Sequence, residues 1–246
     1  MLIHPTLEKL ERLRLTGMLT ALQEQMGMDD INDLSFEERL GLLVDREAVC
    51  RESRRLKTRL RKAKLRHSAA VEDIDFRHPR GLDKSLVMRL ADCNWLKNHE
   101  NLIITGPTGV GKSYLACAFA QKACRTGYSA IYLRTSRLFE NLGLAKGDGR
   151  YIKLLTGFAK TDLLVLDDFG LAKLNREHQH DLLEILEDRH GLKSTLVTSQ
   201  LPVEHWHEQI GDPTMADAIL DRLVHSAHKI QLKGGSMRKK KANLTQ

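Results

Sequence analysis

One octapeptide limits what this chain can fold into more than any other. Gly106-Pro-Thr-Gly-Val-Gly111-Lys112-Ser113 follows the apolar run Leu102-Ile-Ile-Thr105 and precedes a helical pattern. It fits G-x-x-x-x-G-K-[ST] at every fixed position. Glycines let such a loop wrap closely, so its backbone N–H groups and the N-terminus of the next helix face a phosphate. Lys112 can bridge the β- and γ-phosphates of a nucleotide, and the Ser113 hydroxyl can ligate Mg2+. Gly106, Pro107, Thr108, Gly109, Val110, Gly111, Lys112, Ser113 and Tyr114 are therefore the expected seat of ATP and Mg2+.

A strand–loop–helix unit of this kind belongs at the carboxyl edge of a parallel sheet, and the surrounding pattern agrees. Residues 102–105, 130–133, 163–166, 195–198 and 229–232 read as strands, with helical segments near 112–126, 135–144, 176–190 and 214–227 between them. Continuous apolar strands alternating with helices predict an α/β fold, a parallel sheet covered on both faces. The third strand ends in Leu166-Asp167-Asp168. Asp167 is placed to hold the Mg2+ shell, and Asp168 to orient or deprotonate the attacking water. The fourth ends in Thr198-Ser199-Gln200, where a polar side chain could meet the γ-phosphate.

Residues 1–66 have a different texture and read as helical throughout. Thr6 is placed to cap a first helix carrying Leu7, Leu10, Leu13, Met18, Leu22 and Met26. Ser35-Phe-Glu-Glu38 is a capping box opening a second helix, with Phe36, Leu40, Leu43, Leu56, Leu60 and Ala63 on one face. His78-Pro79-Arg80-Gly81 then punctuates the chain. The division expected is a helical N-terminal domain over 1–70 and an ATPase domain over 71–246 with a short basic tail.

The net charge of +7 on 246 residues is concentrated. Residues 51–66 hold 9 Lys or Arg against 1 acid, and residues 229–246 hold 6 against none, whereas 1–50 carry 5 against 10. Arg51, Arg54, Arg55, Lys57, Arg59, Arg61, Lys62, Lys64 and Arg66 would line about 24 Å of helix, enough to engage several phosphates of duplex DNA. Without interleaved aromatic residues for stacking, backbone contact is favoured over base readout. No run approaches the ~18–20 apolar residues of a membrane span, and the amphipathic N-terminus with Glu8 and Glu11 is no signal peptide, so the expected location is cytoplasmic. Cys50, Cys93, Cys117 and Cys124 form no C-x-x-C pair, and the two-apart histidines His178/His180 and His205/His207 are poorly spaced for shared ligation.

Ile74-Asp-Phe-Arg77 ahead of Gly81-Leu-Asp83, the loop with Tyr114-Leu-Ala116, Leu166-Asp-Asp-Phe-Gly170 and Thr198-Ser-Gln-Leu-Pro202 together resemble the AAA+ ATPases. Within them the chain is most similar to the DnaC-like helicase loaders and to the IstB family, the ATPase helpers that insertion sequences encode beside their transposase. The resemblance spans essentially the whole chain. It implies a RecA-like sheet of order 5-1-4-3-2 behind a helical domain, and an oligomer with ATP held between subunits. It also assigns Ser199 or Gln200 to sensor 1, Arg222 to the arginine finger that reaches a neighbour's γ-phosphate, and Arg238 to sensor 2. The region with Arg134, Arg137, Lys146, Arg150, Lys153 and Lys160 would help line a DNA path.

Many AAA+ enzymes have Asp-Glu where this chain has Asp167-Asp168, so the shorter second acid implies slow turnover without a partner. The function implied is an ATP-dependent, duplex-DNA-binding regulator that recruits or stimulates a transposase. A replicative-helicase loader and an ATP-controlled DNA-bending scaffold stay open beside it.

Overall fold

The computed structural model of the chain describes residues 5–237. Arg238 and the Lys239–Lys241 run lie outside the described residues. The chain divides into two compact units, Met1–Thr58 and Arg59–Gln246. The boundary falls inside a helix, so the basic residues from Arg59 onward group with the second unit.

The first unit holds α1 (Pro5–Arg12), α2 (Thr16–Met26) and most of α3 (Phe36–Ala63). The single helix expected over the first 26 residues is broken. Arg14 takes φ 58° and closes α1, with Leu15 N–H returning to the Leu10 carbonyl at 2.9 Å. Thr6 lies within the first turn of α1 rather than ahead of it. The capping box is formed as expected: Ser35 N–H donates to Glu38 Oε2 at 2.8 Å, and Glu38 N–H donates to Ser35 Oγ at 3.2 Å.

Packing of α2 on α3 uses a different stripe from the expected one. Phe36 and Leu40 are exposed, whereas Gln25 Nε2 donates to the Arg39 carbonyl at 3.1 Å and Glu47 is buried. Glu47 Oε2 accepts from Gly17 N–H at 2.7 Å and Met18 N–H at 3.2 Å, a carboxylate seated on the first-turn amides of α2. A Cβ at Gly17 would stand 2.6 Å from Glu47 Cα, so glycine is what lets the helices come this close. Polar satisfaction, invisible to hydrophobic periodicity, sets this contact.

The second unit is a five-stranded sheet, all of whose pairings are parallel. Its strands are β1 (Asn101–Thr105), β2 (Ala130–Arg134), β3 (Leu163–Phe169), β4 (Ser194–Ser199) and β5 (Ala227–Gln231), in the order β2-β3-β4-β1-β5. That is the order the resemblance implied. Ahead of the sheet come α4 (Lys84–Ala91) and α5 (Asn94–Lys97). The crossovers carry α6 (Lys112–Arg125), α7 (Thr135–Gly147), α8 (Tyr151–Lys160), α9 (Arg176–Glu187), α10 (Trp206–Ile210) and α11 (Pro213–Val224). β1, β3 and β4 are buried almost throughout, as continuous apolar strands covered on both faces must be. Cys117 and Cys124 are small core residues of α6, and burial pushes the Cys124 thiol up to about 11. Trp206 is fully buried at 4.7 Å from Phe169, a core aromatic.

Residues 151–160, read from sequence only as a basic stretch, form the amphipathic helix α8, which buries Leu155 and Phe158. A buried arginine ties its end to the sheet: Arg189 donates to the carbonyls of Phe158, Thr161 and Ser194, and burial lowers its pKa to about 10.

Candidate nucleotide site

The phosphate loop leaves the carboxyl end of β1 and enters α6 at Lys112. Ligands of open parallel sheets bind beyond the carboxyl ends of their strands. Gly111 is the N-cap at φ 100°, a conformation that costs side chains strain. A Cβ there would also fall 2.5 Å from Nη1 of Arg80. Arg80, buried at 2% exposure, donates to the Val110 carbonyl at 2.9 Å and props the loop from beneath. Its burial lowers its pKa. In the sequence Arg80 shows only as part of the His78–Gly81 boundary, with nothing local to mark this role. From the other side, Leu232 N–H donates to the Thr105 carbonyl at 2.8 Å, and a Cβ at Gly106 would sit 2.5 Å from the Leu232 carbonyl. Met237 N–H donates to the Gly109 carbonyl at 2.9 Å. The loop is thus held open by neighbours that touch its backbone.

Lys112 folds back on the loop, its Nζ 2.7 Å from the Gly106 carbonyl and 2.9 Å from that of Pro107. Ser113 Oγ donates to Asp167 Oδ1 at 2.9 Å, which brings the loop and the end of β3 together. Asp167 is fully buried, and a bare carboxylate there would be costly. Hydroxyls from two further points offset that cost, and a third serves the backbone of the same residue. Thr198 donates to Oδ1, Tyr132 to Oδ2, and the Thr135 hydroxyl reaches the Asp167 carbonyl at 3.1 Å. Burial and the adjoining Asp167 push the Tyr132 phenol well above its ordinary range. Arg66 adds a cation, with Nη1 4.0 Å from Asp167 Oδ2.

Hydroxyl and carboxylate oxygens are the hard donors that Mg2+ prefers. Among the described residues no three His, Cys, Asp or Glu side chains group to hold a metal by themselves. The donor set therefore fits an ion that completes its shell with nucleotide phosphates and water.

Asp168 sits at a break in the ladder. Its φ is 61°, the β3–β4 register shifts between Leu166 and Phe169, and its N–H donates to Thr198 Oγ1 at 3.1 Å. Its Oδ2 lies 3.9 Å from Nε of Arg134 at the end of β2. Of the three polar residues the sequence offers at this strand end, Thr198 is the one that orders both acids. Ser199 instead is fully buried and turned away, donating to the Phe169 carbonyl at 2.8 Å and accepting from Leu201 N–H at 3.1 Å. Gln200 faces the loop, where Thr108 donates to its Oε1 at 2.7 Å. Tyr114 stands on α6 with its ring 6.5 Å from that of His67.

Arg222 lies at the opposite edge of the sheet. Its carbonyl accepts from Asn101 Nδ2 at 2.8 Å, its guanidinium pairs with Glu187, and Nη1 donates to the Ala218 carbonyl at 2.9 Å. The basic residues do not form the single outward strip expected. Arg55, Lys57, Arg61, Lys62 and Lys64 are exposed. Arg51 pairs with Glu47 at 2.7 Å and Arg54 with Thr16. Arg59 and Arg66 correct the expectation, since they turn to polar groups of their own unit: Arg59 Nε donates to the Cys124 carbonyl at 2.8 Å, and Arg66 faces Asp167. Farther along, Arg137 pairs with Glu140 and Arg150 with Asp148, while Lys153 is exposed.

A family profile described as IstB-like ATP binding protein matches residues 8–245. The insertion sequence ATP-binding protein y4pL of Sinorhizobium fredii is 56% identical over 239 residues, 97% of this chain and 98% of its own. The ATP-binding protein of insertion sequence IS1162 from Pseudomonas fluorescens is 51% identical over 203 residues, 82% of this chain and 88% of its own. Among solved structures, the DnaC helicase loader aligns at 20% identity with a TM-score of 0.57, over 70% of this chain and all 100% of that one. The initiator DnaA bound to AMPPCP and single-stranded DNA aligns at 18% identity and TM-score 0.57, over 74% of this chain and 56% of that one. At such identities these likenesses show the fold, that of the AAA+ ATPases. Among the described residues no helix is long and apolar enough to cross a membrane.

Proposed function

Because this chain belongs to the family of IstB-like ATP-binding proteins, we propose that it hydrolyses ATP as an assembly on duplex DNA and recruits or stimulates its element's transposase. The observation that carries the reading is the 2.9 Å contact between Ser113 and Asp167, which joins the phosphate loop to a buried carboxylate. Ser113 and Asp167 would hold Mg2+, which when bound supplies charge neutralisation at the phosphates. Lys112 exchanges its loop carbonyls for β- and γ-phosphate oxygens. Asp168, its backbone fixed by Thr198, orients the attacking water or takes its proton, and Gln200 lies on the loop within reach of the same end of the sheet.

Arg222 supports an assembled enzyme. It stands beside the first residue of β1, whereas the loop leaves the last, and four steps of ~3.3 Å put about 13 Å of strand between them. An arginine there serves a neighbour's nucleotide rather than its own. The exposed cations Arg55, Lys57, Arg61, Lys62, Lys64 and Lys153 supply the phosphate contacts to duplex DNA, and residues 1–70 the surface that meets DNA and the transposase.

The test is ATP turnover without DNA, with single strands and with duplex, against a Lys112→Ala blank. Stimulation chiefly by duplex is expected. Stimulation by single strands only would favour a helicase loader, and turnover equal to the Lys112→Ala blank would remove the enzyme reading.

A further inference from the structure

Arg66 closes the basic run, and unlike the cations just before it, its guanidinium faces a buried carboxylate. Helix α3 ends at Ala63, and Lys64 follows at φ 50°. A left-handed residue at that point swings the chain off the helix axis. Two residues later the amides of Arg66 and His67 face the sulfur of buried Cys117 on α6, which fixes the segment beside the nucleotide-binding helix. The guanidinium then lies 4.0 Å from Asp167 Oδ2, with the Arg66 side chain 33% exposed and that of Asp167 at 0%. The Tyr132 hydroxyl donates to the same Oδ2. The two oxygens of Asp167 are thus divided: Oδ1 meets Ser113 and Thr198, Oδ2 meets Tyr132 and Arg66.

We propose that Arg66 is a positioning residue that couples the basic segment 59–66 to the metal site by sharing the carboxylate of Asp167 with Mg2+. At 4.0 Å the pair is longer than the ~2.8 Å of a charge-assisted hydrogen bond, so the guanidinium is placed without being locked. While it stays, a divalent ion approaching Oδ1 meets a cation already on the same carboxylate. DNA phosphates engaged by Arg61, Lys62 and Lys64 draw Arg66 away from Oδ2 and leave the carboxylate's charge to the metal. Linkage requires the reverse as well: metal bound at Asp167 releases Arg66 toward phosphate. The inference rests on reading Ser113 and Asp167 as the Mg2+ site.

The full-length protein with AMPPCP is titrated with Mn2+, followed by its electron paramagnetic resonance, with and without duplex DNA. Under water-like screening, removing one unit charge at near-contact range shifts a divalent midpoint by about tenfold. Arg66→Gln is therefore expected to bind Mn2+ about tenfold more tightly than wild type without DNA, and Arg66→Lys to stay near wild type. Duplex tightens the wild type by a similar factor and leaves Arg66→Gln unmoved. Equal midpoints for wild type and Arg66→Gln, or an equal duplex effect on both, overturn the coupling. If Asp167→Asn leaves the wild-type midpoint unchanged, the Mg2+ reading itself falls, which is a separate outcome.

A second measurement needs no variant. The salt slope of duplex binding by wild type should steepen by about 0.9 when Mn2+ and AMPPCP are present, one more phosphate contact. An unchanged slope overturns the proposal even if Arg66→Gln fails to fold.

Discussion

Mixing two inactive variants tests whether Arg222 works across a subunit boundary. Arg222→Ala keeps its own loop and acids, and Lys112→Ala keeps its arginine. About 13 Å of strand separates Arg222 from the loop of the same chain, so the guanidinium cannot serve both ends of one sheet. A finger supplied in trans is worth 10³–10⁵ in rate in related enzymes, about 4–7 kcal/mol of barrier. The pair it now makes with Glu187 has both partners partly in solvent, a small term beside that figure. Each variant alone should therefore fall at least about a thousandfold. In an equimolar mixture, random neighbours join an intact loop to an intact arginine at about one interface in four, so about a quarter of wild-type turnover should return. The assay is phosphate release with DNA present, alongside sedimentation to establish that the variants co-assemble. Co-assembled mixtures that turn over no faster than the mean of the two variants would refute the reasoning, as would wild-type turnover by Arg222→Ala.

Two further predictions concern what holds each unit together. Thr198→Val keeps shape but removes a donor to buried Asp167 and the acceptor for Asp168 N–H, so urea denaturation should show a loss of about 2–4 kcal/mol, and a loss under about 0.5 would refute the role. Glu47 is held below its ordinary 4.5, first by the Arg51 hydrogen bond and also by the amides of Met18 and Gly17. Its contribution is present above about pH 4.5 and lost as pH falls through the folded value. Wild type should exceed Glu47→Gln by about 1 kcal/mol near neutrality and converge with it in acid, and a gap that does not change with pH would refute the assignment.

Which parts of this molecule were legible in its sequence follows from how local their causes are. The loop, the capping box and the five strands rest on residues adjacent in the chain, and each took its expected place. The break at Arg14, the stripe through Arg39 and Glu47, and the inward turn of Arg59 and Arg66 depend on polar groups meeting across the fold. Arg80 read as punctuation because its partner, the Val110 carbonyl, lies 30 residues away. The end of β4 shows the distinction most sharply. Thr198, Ser199 and Gln200 are all polar, and strand alternation does not tell which hydroxyl meets the acids until β3 is docked beside them. A cation that faces a buried carboxylate at the end of a charged run gives no signal in composition, since the run reads as one solvated face.

The second acid has a physical explanation that sequence could not supply. Residues 167 and 168 of a regular strand would point to opposite faces of the sheet. The left-handed backbone at Asp168, together with the register shift after Leu166, releases it from that alternation, and Thr198 collects its freed amide. Aspartate tolerates φ near +60° better than longer acids do, because its short side chain can bond locally. A glutamate would extend toward the water by one methylene but would sit in a backbone conformation that costs on the order of 1 kcal/mol more. The Asp-Asp pair therefore trades reach for backbone fit, and Arg134, 3.9 Å away, meets the charge of a side chain that stays 26% exposed. If Asp168 serves the attacking water as proposed, slow unassisted turnover would be a property of the strand end, and a binding partner would raise it by moving β3 or the groups around it.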